Sequence, residues 1–570
     1  MKVQNESPVS KGGLLFRLLV VAFLSVSLSV LSQGNANLEI NYFKNIPWNS
    51  ILVKPMAFAP IPQAKDAYWK KVLPQVFRQD YIKLGENYKG KDWSPISNSL
   101  FAEYSKTGNR TNFEKKYFEK RRQLSCLVMA EILEHKGLYL NDIVNGLNYF
   151  VSEAWWGLPS SYPSDTPDPN NQKIELFNPE TASLLAWTIY MLHDELEGTE
   201  KGICKKIHEE IQRRVLIPAR VNGYYWGKST DNWNPWICSN LLSCVLFCEP
   251  NRELQVADIR RIAECLEFFI TNYPEDGGCD EGIMYWDRAA GSFFECVYLL
   301  NLATNHSVSL KNDPKLMAMG SFVYKMYIGK NKYVNFADSY TTNRVHINIL
   351  YPYGKYIEDD VMMRQAAYIA KDDDFFASPS KSFAASGNYP ALSRELLFLS
   401  LYNSFVKTKA DEPLIRDAEL NNLQIFTARA EDASSNGLFL AAKGGNNGEH
   451  HNHNDVGNFI VYKDGEPLII DIGVGAYTAR SFSDERYELF NYRSGYHNVP
   501  LINGCEQPSG KKYAADKQYR YRSNSRRVNY TIDIAKAYPK EAHVDRWERT
   551  FFSGGVKGLW SLKNTGLINT

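Results

Sequence analysis

The chain has 570 residues, 44% of them hydrophobic, and a formal net charge of +1. That length and apolar content support large cores and two or more domains, and they exclude a disordered or low-complexity protein. The balanced charge argues against non-specific attraction to nucleic acid or to anionic membranes.

Lys11 and Arg17 precede an apolar run from Leu18 to Leu31, followed by the small residues of Gly34-Asn35-Ala36. The run is too short to span a bilayer comfortably, so residues 1–36 read as a cleaved signal peptide and the mature protein as exported: periplasmic, secreted or on the outer surface. No later segment reaches the ~18 uninterrupted apolar residues of a membrane helix. The nine cysteines lie mostly in apolar helical contexts, among them Cys126, Cys244, Cys248, Cys265 and Cys296, and read as small buried hydrophobes.

From about Ala57 to Lys407 the apolar residues recur at helical spacing. Helices are expected over Phe113–His135, Leu140–Trp156, Pro179–Leu196, Cys204–Pro218, Pro235–Cys248, Val256–Tyr273, Asp287–Leu302, Asp313–Tyr327, Asp360–Lys371 and Leu392–Val406. Consecutive antiparallel helices without a fixed 34- or 40-residue repeat favour a closed α/α toroid over a solenoid. Between about 408 and 420 the pattern changes to short alternating segments. Strands are expected over Leu423–Ala428, Gly437–Lys443, Asn458–Tyr462, Leu468–Ile472, Val499–Ile502, Val528–Ala535 and Arg546–Phe552. The fold class is therefore α+β and multidomain, with a toroid over 37–410 and an antiparallel β-sandwich over 411–570.

Three loops of the helical part mix polar and aromatic residues as a glycan groove does: Trp155 to Tyr162, Tyr224 to Trp236, and Asp276 to Arg288. The same residues also suit helix caps, as Asn232 and Asp287 would be, and ordinary packing. The densest chemistry lies between Gly448 and Asn498, where three of the ten histidines fall within four positions, His450 to His453. After them come two apolar runs about Lys463-Asp464-Gly465-Glu466, a β-hairpin signal. A lone carboxylate in an apolar strand is costly to bury, so Asp471 needs a partner. His453, Asp471 and His497, with a water in the fourth position, have the ligand types and number expected of zinc. Asp455 reads as an anchor for its loop.

With these stretches in view the sequence resembles the heparinase II/III-like polysaccharide lyases. The residues that carry the likeness are His451-Asn452-His453-Asn454-Asp455, the Asp471 strand, Arg486-Tyr487 through His497-Asn498, Asn232-Trp233-Asn234, and Glu281 to Trp286. The resemblance implies a toroid followed by a sandwich. It implies Tyr285 as the proton-transferring tyrosine, Asn232 as the group that neutralises the substrate carboxylate, with Asn234 as its alternative, and His451 as the second catalytic residue. It makes His453, Asp471 and His497 the ligands of a structural Zn2+, and it implies an acidic polysaccharide as the partner, such as heparan or chondroitin and dermatan sulfate. Trp156, Asn234, Arg288 and Arg486 are the expected substrate contacts, and the expected reaction is β-elimination next to a uronate, leaving a 4,5-unsaturated end.

A weakly acidic C5 proton is removed only if the carboxylate charge is taken up by donors, and an acid must meet the departing oxygen. Two other readings stand beside this one: a hydrolase on the same scaffold using Asp231 with Asp287, and a glycan-binding protein without catalysis. Ser553 to Thr570 shows little alternation where the family continues with further strands, so an incomplete sandwich is expected. Oligomeric state leaves no signal.

Overall fold

The computed structural model describes residues 41–162, 164–221, 223–342, 345–524, 527–554 and 559–568. The expected signal peptide lies outside them. Five helices close a ring: Phe177–Thr199 packs on Trp233–Cys248, that on Ala290–Ala303, then Ile347–Ile357, then Leu392–Leu399, which returns to Phe177–Thr199. Ile203–Ile211, Arg252–Asn272, Pro314–Lys325 and Asp360–Asp372 each back onto a ring helix from outside.

The sequence accounts for the two layers. Trp233–Cys248 is buried on nearly every side and so carries no polar face, whereas outer helix Ile203–Ile211 buries only Ile203, Cys204, Ile207 and Ile211 at helical spacing. Outer starts are capped: the side chains of Asn251, Asp313 and Asp359 accept from the backbone N–H three residues on. No helix among the described residues is long and apolar enough to cross a membrane. Seven of the nine cysteines are buried, as small hydrophobes would be.

Two helices of more than ten residues went unread in the sequence. Gln75–Glu86 is one, and ring helix Ile347–Ile357 is the other; Pro352 lies inside the latter, and its near-complete burial leaves no polar face to mark a period. The segment Cys204–Pro218 does not run as one α-helix, because Gln212–Leu216 widens to a π-turn.

Beyond residue 417 the chain is antiparallel β. One sheet orders Asp417–Leu420, Ile425–Arg429, Leu438–Lys443, Phe459–Lys463 and Glu466–Ile469; a second orders Arg520–Asn524, Arg527–Asp533, Val544–Gly554 and Leu559–Ile568. Phe426, Ala428, Leu440 and Ala442 point from the first sheet onto Val528, Tyr530, Ile532 and Phe551 of the second, forming the sandwich core. The alternate residues face the toroid. Thr427 donates to the Lys325 carbonyl, and Arg429 donates to the carbonyls of Ile415, Tyr327 and Ile328 at 2.6, 3.0 and 3.1 Å.

The expected hairpin is present, with Lys463 paired to Glu466 and both Asp464 and Gly465 at positive φ, 55° and 77°, as a two-residue turn matching strand twist requires. Two strand expectations are corrected. Val499–Ile502 is a loop with a single bridge from Ile502 to Cys505, since Pro500 has no N–H and the chain turns back at Asn503 and Gly504, with φ of 50° and 78°. In Leu559–Ile568 the expected lack of strand is overturned: it pairs along Val544–Gly554, and the exposure of residues 561–568 on both faces accounts for the missing apolar alternation.

Candidate active site

A cleft of about 1020 Å³ opens between the toroid loops and the β domain, lined by Asn232, Tyr285 and Arg288 from one side and His451, Tyr477 and Arg486 from the other. The residues expected to act on substrate from separate stretches, Asn232, Tyr285 and His451, therefore share one cavity. The Tyr285 ring stacks on the His451 imidazole with centroids 4.2 Å apart.

Asn232 sits at the N-terminal boundary of Trp233–Cys248 but makes no capping bond. Its backbone N–H donates to Glu281 Oε1 at 2.8 Å and its amide donates to Glu281 Oε2, leaving Oδ1 buried without a partner. Glu281 Oε2 also faces His451 Nε2 at 3.2 Å. Burial pushes the Glu281 carboxyl up to about 7, with the facing His451 pulling the other way.

On its other side His451 meets Asp338, a residue that sequence reasoning did not single out. Asp338 Oδ2 accepts from His451 Nδ1 at 2.7 Å and from the Tyr477 hydroxyl at 2.8 Å; its Oδ1 meets His453 Nε2 at 2.9 Å, and Arg486 Nη2 reaches both oxygens at 2.9 and 3.0 Å. The carboxylate is fully buried, which alone would raise its pKa, yet these donors hold it far below the usual carboxylate range. Two local features place it. Gly282, at φ 93°, lets the 281–286 loop close on the 336–339 turn, where a Cβ would lie 2.3 Å from Ser339 Oγ and 2.7 Å from the Phe336 carbonyl. His451 itself is left-handed, φ 52°, so the histidine run is not extended; both His451 and His453 still reach one carboxylate.

Tyr477, also unread in the sequence, lies with its hydroxyl 2.9 Å from that of Tyr285. Burial pushes the Tyr285 hydroxyl well above its ordinary range, with the Tyr477 hydrogen bond opposing, so Tyr285 holds its proton at neutral pH. Nothing in the sequence flags Tyr477 among 35 tyrosines, or Asp338 in Phe336-Ala337-Asp338-Ser339.

Two expected substrate contacts, Trp156 and Asn234, are corrected, while Arg486 lies on the cleft wall. Trp156 is fully buried with Nε1 donating to the Phe150 carbonyl at 2.9 Å, so it belongs to the toroid core. Asn234 is also fully buried and donates to the Cys265 carbonyl at 3.0 Å, away from the cleft. Arg486 reaches the cleft wall but is tied to Asp338 and to the carbonyls of Asn452 and Ser481, and its guanidinium lies 3.8 Å over the Tyr492 ring; it positions the site. Arg288 does line the cleft, stacked 4.2 Å over Trp236. Asp287 is ringed by Arg288, His346 and Arg394, which hold it far below the carboxylate range against its burial; it is no proton donor.

Behind Asp338 lies a second cluster. His453, Asp471 and His497 each offer one ligand atom within 4.8 Å of the others, and all three are buried. His453 Nδ1 and His497 Nε2 have no hydrogen-bond partner, while the opposite nitrogens face Asp338 and, at 2.7 Å, Asp471. In His453 a buried ring nitrogen is bare while the Asp338 carboxylate holds the other side, as in a metal ligand with an oriented ring. Asp455 pairs with Lys443 at 2.8 Å, away from the ligand set.

The heparinase II/III-like C-terminal family model matches residues 418–559. The toroid and this domain together share the fold of a heparinase III gene product (TM-score 0.56, 11% identity, 90% of this chain and 73% of that one) and of the heparan sulfate lyase HepC from Pedobacter heparinus (TM-score 0.51, 13% identity, 91% and 72%). No curated protein matches the sequence.

Asp338 carries the arrangement, and Asp338→Asn tests it. The substitution leaves the buried Arg486 charge uncompensated, so stability falls by about 3 kcal/mol or more, read as a lowered denaturation midpoint. A variant as stable as the parent contradicts this role.

Proposed function

We propose that the protein is a polysaccharide lyase that cleaves a uronic-acid-containing glycan, of the glycosaminoglycan kind, by β-elimination. The observation that carries the proposal is the convergence of Asn232, Tyr285 and His451 on one cleft, with His451 oriented by a buried carboxylate. Asp338 accepts from Nδ1, which leaves Nε2 as the atom that takes the C5 proton. The electrons of that bond form the C4–C5 double bond as the C4–O bond breaks. Tyr285, kept neutral by burial, gives its proton to the departing oxygen. Asn232 donates to the substrate carboxylate, and its amide is oriented by Glu281. The hydrolase reading loses Asp287 as a proton donor, because Arg288, Arg394 and the hydrogen bond with His346 hold it ionised against its burial.

We also propose that His453, Asp471 and His497 hold a structural zinc. The convergence of the three buried side chains and the bare ring nitrogen of His453 support it, and when bound the ion would tie the 451–455 loop to the irregular segment that carries Asp471, just past Glu466–Ile469. The basic then apolar residues before Asn37 support export.

Incubation with heparan sulfate, dermatan sulfate, hyaluronan and alginate is expected to raise the ultraviolet absorbance of the unsaturated uronate on at least one polymer, and Tyr285→Phe to reduce that rate by at least ~100-fold. Cleavage without the chromophore would favour hydrolysis, and binding without cleavage, unchanged in Tyr285→Phe, a binding protein.

The pH dependence has a defined sign. Glu281, raised to about 7, is neutral below that value and anionic above it, where it repels an incoming carboxylate at Asn232. KM is expected to climb about tenfold per pH unit above it, and Glu281→Gln to flatten the climb; a climb that persists in this variant assigns it to another group.

Chelator treatment is expected to lower the thermal midpoint and zinc to restore it, with His497→Ala insensitive to both. Bound metal measured by mass spectrometry at well below one per chain would sink the zinc assignment.

A further inference from the structure

We propose that Cys238 and Cys265 are an oxidisable pair, converted by a small disulfide oxidant into a covalent link between the ring helix Trp233–Cys248, near its Asn232 end, and the outer helix Arg252–Asn272. The link would form whatever the cleft acts on. The placement of the two side chains carries it. They come from helices packed on one another and meet at a cavity of about 50 Å³ whose other walls include Leu216, Trp226, Leu241 and Ile262. There the two thiols hydrogen-bond to each other.

The surroundings leave space for the bond. Gly227 passes over the pair without a side chain, where a Cβ would lie 3.3 Å from Cys265 Sγ. The cavity gives both sulfurs room to turn toward each other, which a close-packed core would deny. Other cysteines are placed differently: Cys244 and Cys248 sit on successive turns of one helix, and Cys296 keeps its Sγ 3.7 Å from the Pro235 carbonyl. Nor is the pair a metal site. The carboxylate on the cavity, Asp258, is held by Arg220 at 2.7 to 3.1 Å, and among the described residues no imidazole lines the space.

The two thiols are unlike, and that sets the order of the chemistry. Cys238 is fully buried, and burial pushes its thiol well above the ordinary range; Cys265 is partly exposed, and the hydrogen bond with Cys238 holds its thiol below that range. The Cys265 thiolate attacks one sulfur of the oxidant, whose S–S bond breaks as its other half leaves. Cys238 then attacks Cys265 Sγ, and the second half leaves. Two protein thiols lose two protons and two electrons, and the oxidant disulfide becomes two thiols.

Position gives the link its use. Asn234, one turn before Cys238, donates to the Cys265 carbonyl at 3.0 Å, and its Oδ1 lies 3.9 Å from Cys238 Sγ. An S–S bond here would fasten the first turns of the ring helix, which begin beside Asn232, to the middle of the outer helix and hold them against local opening. The export proposed above would carry the chain to a compartment where such bonds persist.

The test starts from the reduced full chain, both folded and refolded with glutathione disulfide present. Remaining thiols are alkylated under denaturing conditions, and peptides are mapped by mass spectrometry without reduction. The expected result is a peptide pair joined through Cys238 and Cys265, the other seven cysteines alkylated, a thermal midpoint raised by a few degrees, and amide exchange over 233–238 slowed severalfold. Cys238→Ala and Cys265→Ala, which suit a dry cavity, are each expected to lose the link and the midpoint shift, and Cys244→Ala to keep both. Nine alkylated cysteines under both conditions, a glutathione adduct left standing on Cys265, or a link to a different cysteine would overturn the pair. A link that leaves exchange over 233–238 unchanged would overturn its hold on the ring helix. If an alanine variant does not fold, the peptide map of the parent chain decides alone.

Discussion

One buried carboxylate holds the site together. Asp338 comes from the helical half, yet its two oxygens meet two histidines, a tyrosine hydroxyl and an arginine that all belong to the β half. An unpaired charge at that depth would cost several kcal/mol, and it is tolerated because each lone-pair direction is met by a donor. The consequence is positional. His451, on the cleft, and His453, in the metal-competent cluster, are oriented by opposite oxygens of the same group, so the two jobs of the histidine run share one anchor across the junction.

Glu281 plays a complementary part on the toroid side. It grips Asn232 by backbone and amide at once, and its second oxygen faces His451 Nε2. The imidazole is thus held between two carboxylates of opposite temper, one kept ionised by Arg486 and its neighbours and one driven toward neutrality by burial. Groups in such unlike environments are what acid and base chemistry at neutral pH requires. The backbone supports it locally: positive φ at Gly282 lets the tyrosine loop close on the Asp338 turn.

The architecture was largely legible in the sequence because most helices have a wet side and a dry side, and strands alternate. Legibility failed where that contrast vanishes. Ile347–Ile357 is buried on nearly every side with a proline inside, and residues 561–568 of the last strand are exposed on both sides. The candidate site divides in the same way. The histidine run, Asp471 and His497 stand out as residues a core has little use for, and Asn232 and Tyr285 were reachable through the family resemblance. Asp338 and Tyr477 lie in irregular segments with no period, and their importance comes from distances that only the fold creates. Trp156 and Asn234 illustrate the reverse error: aromatic and amide residues beside a cleft-forming loop look alike in sequence whether they face the cavity or the core, and here burial puts both inside.

The proposed reaction removes a proton without adding water. The most direct measurement is mass spectrometry of the products formed in water enriched in heavy oxygen. Elimination predicts an unsaturated fragment at the new non-reducing end, with no heavy oxygen introduced by bond cleavage at either new end; solvent oxygen introduced at the cleaved bond, with both ends saturated, would contradict it.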